Sequence, residues 1–365
     1  MYLTLYLISL TILVLYVLLV IIFITGWNSI PQNIKSENIN NIKTSVIVAC
    51  KNEELNLGNL INALKKQSES DFELILVNDH STDSTNEIIK SAVKDFYNIK
   101  IMDSYKTGKK NALKEGISKA RGELIITTDA DCVPANTWIE SVINFYSNTY
   151  NDLIIGPVVI KSDKSLFSKL QKIEFASLVA SGAGAAGVGM PIMCNGANLA
   201  FTKAAWLESS KDLHEDEISG DDVFLLLSIK KRKGKIGFLK SAEAMVTTNS
   251  VNNLTDFTNQ RKRWASKSKK YTDKHIIISA LIVFVICVIE IVIFAISFLD
   301  YQYFKLFFIV FGIKFLADYI FLDKISGFFK LENFRKDAFI LSVVYPFYIV
   351  YTAASGIFEQ NIKWK

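Results

Sequence analysis

Asp129-Ala130-Asp131 sets two carboxylates around one small residue, directly after the apolar run Glu123–Thr128 (ELIITT). Acids so spaced at a strand end can point at one spot and offer hard oxygen ligands to Mg²⁺ or Mn²⁺, a fitting arrangement for holding a diphosphate. An acidic turn alone is common on protein surfaces; its position is what singles this one out. A second acidic stretch, Asp79-His80-Ser81-Thr82-Asp83, follows another apolar run, Phe72–Asn78 (FELILVN). Gly220-Asp221-Asp222 stands before the apolar Val223–Leu227, and taken alone its acids simply cap a helix. Gln260, Arg263 and Trp264 fall at i, i+3 and i+4 and share one helical face. Arg263 offers a planar fork suited to an anionic oxygen pair, and Trp264 a flat aromatic surface.

The elements that must position these residues alternate. Thr44–Cys50 (TSVIVAC) and Phe72–Asn78 read as strands buried on both faces, and Leu57, Leu60, Ile61 and Leu64 between them follow the period of an amphipathic helix. Ser84–Phe96 reads as helix, Ile99–Met102 as strand, Lys109–Ala120 as helix and Glu123–Thr128 as strand. Such alternation predicts a parallel, doubly wound α/β sheet, in which ligands bind beyond the carboxyl ends of the strands. Both acidic stretches sit there.

Half of the 365 residues are hydrophobic and the mean hydropathy is +0.26, too apolar for an ordinary soluble enzyme. The excess is stored at the ends: Met1–Ile24, Ile276–Leu299 and Ala338–Phe358 together carry one charge, Glu290. A helix of about 20 apolar residues crosses a bilayer, so each is a membrane span. Met1–Ile24 reads as an uncleaved anchor rather than a signal peptide, because no Lys or Arg precedes it and no small-x-small site follows. A weaker span, Phe304–Leu322, carries Lys314 and Asp318 four apart, able to pair. Lys267, Lys269, Lys270 and Lys274 before one span, and Lys324, Lys330, Arg335 and Lys336 before the last, place residues 25–275 in the cytoplasm. Glu290 should face the bundle or a polar groove. The domains expected are an anchor (1–24), a linker (25–43), a catalytic domain (44–270) and a membrane region (271–365, spans near 276–299, 304–322 and 338–358). Four cysteines without a C-x-x-C pair exclude a zinc ribbon or disulfide framework, and a net charge of +5 without basic-aromatic runs excludes nucleic acid as a partner. No phosphate-binding G-x-x-x-x-G-K-[ST] loop occurs, which disfavours a phosphate-transfer enzyme.

V-I-V-A-C-K-N-E-E (46–54), V-N-D-H-S-T-D (77–83), G-K-K-N-A-L-K-E-G-I (108–117), T-D-A-D-C (128–132), Cys194-Asn195-Gly196-Ala197-Asn198, Gly220-Asp221-Asp222 and Gln260-Arg261-Lys262-Arg263-Trp264 occur in order. The sequence thereby resembles the family 2 glycosyltransferases over about residues 44–270, and the last motif resembles the Q-x-x-R-W signature of the membrane-embedded members. These include cellulose, hyaluronan and poly-N-acetylglucosamine synthases and ceramide glucosyltransferase. The resemblance implies a GT-A (Rossmann-like) cytoplasmic domain with one N-terminal and about three C-terminal transmembrane helices. It implies inverting, metal-dependent transfer of a sugar from a nucleotide diphosphate, with UDP-glucose or UDP-N-acetylglucosamine expected.

Residue by residue, Asp79 matches the uracil-contacting aspartate, while Asn78 departs from the usual Asp-Asp pair. Asp129 and Asp131 match the metal site (Mg²⁺ or Mn²⁺). Asp222 matches the base that deprotonates the acceptor, with Asp221 ranked second. Gln260 and Arg263 fall on the donor side; Trp264, Asn195 and Asn198 on the acceptor side. Lys109 either adds a charge near the phosphates or is a solvated lysine at a helix start. Arg261 and Lys262 lie off the motif's face and fit phospholipid headgroups. The small-residue run Ser181–Gly189 either lines the acceptor or packs closely against a helix. Single transfer to a lipid is expected, with processive polysaccharide synthesis as the alternative. In the latter case three spans after the domain are few for a channel, and an oligomer or export partner would complete one. A catalytically dead nucleotide-sugar scaffold is disfavoured because every carboxylate is present. High Ile, Lys and Asn content points to an AT-rich bacterial genome and the inner membrane.

Overall fold

A computed structural model describes residues 2–32, 42–209 and 221–358. Gly220, the side chain of Asp221 and most of the linker expected over 25–43 lie outside the described residues. In chain order the elements are α1 (Tyr2–Ser29), β1 (Thr44–Cys50), α2 (Leu57–Lys65), β2 (Phe72–Asn78), α3 (Thr85–Ser91), β3 (Ile99–Asp103), α4 (Lys109–Lys119), β4 (Leu124–Asp129), β5 (Val133–Pro134), α5 (Trp138–Thr149), β6 (Leu153–Ile155) and β7 (Val158–Lys161). There follow α6 (Leu166–Gly187), β8 (Leu199–Thr202), α7 (Lys203–Ser209), α8 (Asp221–Lys231), β9 (Ile236–Phe238), β10 (Val246–Asn249), α9 (Leu254–Ser266), α10 (Lys274–Ser297), α11 (Gln302–Phe329) and α12 (Phe334–Phe358). The chain divides into two compact units, one of residues 30–161 and 193–249, the other holding α1, α6 and α9 to α12.

The first unit is built on a seven-stranded sheet in the order β3-β2-β1-β4-β8-β6-β9, with β5, β10 and β7 in a second, small sheet. Every residue of β1 and β2 is buried, as their unbroken apolar runs require of strands covered on both faces. Leu57, Leu60, Ile61 and Leu64 form the buried face of α2, each worth about 2 kcal/mol of removed apolar surface. β3, β2, β1 and β4 run parallel. The expected all-parallel winding stops there: β8 runs antiparallel to both β4 and β6. The sheet is therefore mixed.

In the second unit, α1, α10 and α12 are long and apolar enough to cross a membrane. Among the described residues, the region after the catalytic motifs thus supplies two such helices rather than three, because α11 carries too much charge to count. Its charge is internally compensated: Lys314 is 1% exposed, its ammonium 2.9 Å from Asp318 and 4.0 Å from Glu290 of α10. Tyr16 of α1 donates to Asp318. Glu290 accordingly faces protein and not lipid. Side-chain caps define several starts: Ser165 accepts from Ser168 N–H ahead of α6, Asn253 from Asp256 N–H ahead of α9, and Asp273 from two N–H groups of α10.

Candidate active site

Polar residues gather where the strand order turns back. β1 lies between β2 and β4, and at such a switch point the carboxyl ends of the strands open a crevice. β2 ends at Asn78, so Asp79 follows it, and Asp129 is itself the last residue of β4. Because β8 is antiparallel to β4, the segment before it arrives at the same end: Leu199 pairs with Thr127, whose hydroxyl donates to the Gly196 carbonyl at 3.1 Å. Asn195–Asn198 is thereby brought to the acidic pair.

Asp79 is fully buried, and its carboxylate accepts the Gly108 N–H with both oxygens, at 3.0 and 2.9 Å. Lys51 stands 3.7 Å away. Gly108 has φ +113°, where side chains are disfavoured, and its carbonyl begins α4 by accepting Ala112 N–H. Asp79 thus fixes the start of the helix that carries Lys109. Asn78 bridges sideways, donating to Asp103 and accepting from Ser81 N–H.

Lys109 is no solvated lysine. Its ammonium pairs with Asp129. Burial alone would lower its proton affinity, but Asp129 above all, then Asp222 and Asp131, hold it above the usual lysine range. The charges of Asp129, Asp222 and Asp131 thus all favour the protonated Lys109. Asp222, in the first turn of α8, accepts the Gly196 N–H at 3.0 Å and the Val223 N–H at 2.9 Å, which fixes its carboxylate beside the Asn195–Asn198 segment. The NGAN motif and the GDD acid are thus joined by a direct bond.

Among the described residues, ligand atoms of Asp129, Asp131 and Cys132 lie within 4.8 Å of one another. Burial, then the charges of Asp131 and Asp129, push the Cys132 thiol well above its usual range, and its sulfur is a soft ligand. What remains is a pair of hard carboxylates, which fits Mg²⁺ or Mn²⁺ better than a soft metal.

Asn198 is corrected from its expected acceptor contact. It is 1% exposed; its amide donates to the carbonyls of Pro157 and Ala244, both at 2.8 Å, and accepts the Trp138 indole N–H at 2.9 Å. It pins the loop from within. Asn195 is half-buried and caps the same turn by accepting Ala197 N–H.

In the other unit, Gln260, Arg263 and Trp264 lie on α9 as the spacing required, all half-buried. Arg261 is the correction there. Far from lying at headgroups it is 4% exposed, paired with Glu174 of α6, its guanidinium stacked on the rings of Trp264 and Phe257. Its sequence signal was Glu174, a lone acid inside an apolar stretch. Lys262 lies over the Tyr351 ring. The small-residue run is helix packing: an added Cβ on Gly184 would overlap the Phe23 backbone of α1, and one on Gly26 the Gly184 backbone.

A mixed sheet with an acid-lined switch point and a carboxylate pair suited to a divalent ion is an arrangement of the GT-A type. Residues 45–206 match the model of Glycosyl transferase family 2, and this stretch is a family 2 glycosyltransferase domain. The poly-beta-1,6-N-acetyl-D-glucosamine synthase of Staphylococcus epidermidis is 31% identical over 148 residues, 40% of this chain and 36% of the synthase. Glycosyltransferase AglE of Haloferax volcanii is 31% identical over 117 residues, 31% of this chain and 38% of AglE. The chain thus spans little more than a third of the length of either relative. Across 98% of this chain and 100% of the other, the fold is similar to that of the mannosyltransferase PcManGT from Pyrobaculum calidifontis in complex with GDP-Man and Mn²⁺, with a TM-score of 0.55 at 13% identity.

Proposed function

We propose that the protein is a membrane-bound inverting glycosyltransferase that moves a sugar from a nucleotide diphosphate, UDP-glucose or UDP-N-acetylglucosamine, to a hydroxyl of a lipid or glycan acceptor at the cytoplasmic membrane face, in a bacterial inner membrane. The observation that carries this reading is the paired carboxylates of Asp129 and Asp131, with Lys109 bound to Asp129 and Asp222 fixed by Gly196 N–H.

The acceptor oxygen attacks the anomeric carbon as the bond to the diphosphate oxygen breaks, inverting the configuration. Asp222 takes the hydroxyl proton, a task suited to a carboxylate held in a fixed direction. Asp221, its neighbour in the motif, ranks second. Asp129 and Asp131 hold Mg²⁺ or Mn²⁺, which offsets charge on the leaving diphosphate when bound. Lys109 adds a cation on the same side. Asp79 marks the base end, where a uracil N–H would take the place of Gly108 N–H. Gln260 and Arg263 belong to the donor diphosphate, and Trp264 and Asn195 to the acceptor. Support for the second reading of processive synthesis comes from the likeness to the poly-beta-1,6-N-acetyl-D-glucosamine synthase. An oligomer or export partner belongs to that second reading.

Asp222→Asn tests the reading. Transfer should fall at least 1000-fold while donor binding stays within about twofold, measured by titration with labelled UDP-sugar. Transfer at the wild-type rate would refute the base assignment. Products of the wild type, incubated with UDP-sugars, either metal and a lipid extract, separate the acceptor readings: one labelled glycolipid means single transfer, high-molecular-weight label means synthesis of a polymer.

A further inference from the structure

Arg261 holds a position that its charge does not explain. It is buried at the meeting of three helices, where one nitrogen, Nη2, bonds Glu174 of α6. Its Nε and Nη1 have no hydrogen-bond partner among the described residues. An arginine kept for pairing alone would have these donors satisfied. What the guanidinium makes instead is flat contact, with its central carbon 4.1 Å from the centroid of Trp264 and 4.8 Å from that of Phe257. Glu174, which anchors it, is held in turn by the hydroxyl of Tyr348 from α12 at 3.1 Å. Phe175, next to Glu174, lies 6.1 Å from the Trp264 ring and tilted to it. Trp264 is thus backed by a cation, and that cation is aimed by an acid and a phenol on two other helices.

We infer that Arg261 is a positioning residue: with Glu174 and Tyr348 it fixes the plane of the Trp264 ring, and through it acceptor recognition. The inference rests on the acceptor role proposed for Trp264. A lysine could keep the ion pair but has no plane to stack, so the two functions of Arg261 separate in one substitution.

The full-length protein, in detergent and labelled with 5-fluorotryptophan, gives one fluorine resonance for each of its five tryptophans. Trp264→Phe identifies the resonance of Trp264. In Arg261→Lys that resonance should shift while the other four hold, and the acceptor KM should rise about tenfold with donor hydrolysis unaltered. Tyr348→Phe, a milder change, should move both readouts in the same direction by less. A Trp264 resonance unmoved in Arg261→Lys and Tyr348→Phe would overturn the positioning role. A shifted resonance with an unaltered acceptor KM would instead overturn the acceptor role of Trp264, and with it the functional part of the inference.

Discussion

The residues that the sequence marked by type divide, in three dimensions, into those that face the chemistry and those that hold the others in place. Lys109 and Asn198 exchanged places in this respect. Lys109 was equally readable as a solvated helix start, because nothing local says what lies across from it; the carboxyl end of β4 supplies Asp129. Asn198 sits in a motif rich in polar residues, yet all its donors are used inside the protein. Asn198→Ala would remove three buried bonds, to the Trp138 N–H, the Ala244 carbonyl and the Pro157 carbonyl, the last of which keeps the Val246 N–H, a loss of about 3 kcal/mol at roughly 1 kcal/mol for each bond. The thermal midpoint of the purified variant should fall by several degrees. An unaltered midpoint with a raised acceptor KM would return Asn198 to the acceptor.

At the scale of elements, helix α6 shows how a run of small residues is resolved. Ser181–Gly189 suits a ligand's approach as well as a helix's, and only the crossing with α1 decides. Gly184→Val would force α1 and α6 apart where backbone meets backbone, so the variant should yield little monodisperse protein on gel filtration in detergent. Recovery at the wild-type level would mean that the crossing is loose. Helix α9 teaches the converse. Its wheel correctly set Gln260, Arg263 and Trp264 on one face, and then placed Arg261 outside, since a wheel knows only its own helix. Burial of Arg261 depends on Glu174, 87 residues earlier.

For the whole molecule, the balance of charge within the membrane unit bears most on stability. Lys314 stands between two carboxylates, Asp318 and Glu290, in a buried setting. Lys314→Met would leave both acids without their cation and should destabilise the unit by about 4 kcal/mol, whereas Glu290→Gln, which removes a carboxylate with no hydrogen-bond partner among the described residues, should be near neutral. Thermal unfolding of the two variants checks this, and equal losses would contradict it. The sequence by itself determined the strands β1 to β4, the helices between them, three long apolar helices and the acidic stretches at strand ends, since period, apolar runs and strand-end position are local properties. Tertiary structure alone decided that β8 runs antiparallel and so carries Gly196 to Asp222, that Lys109 meets Asp129, and that Arg261 pairs with Glu174. Each of these is a contact between residues distant in the chain, settled by how sheet and helices pack, and no local pattern of residues encodes it.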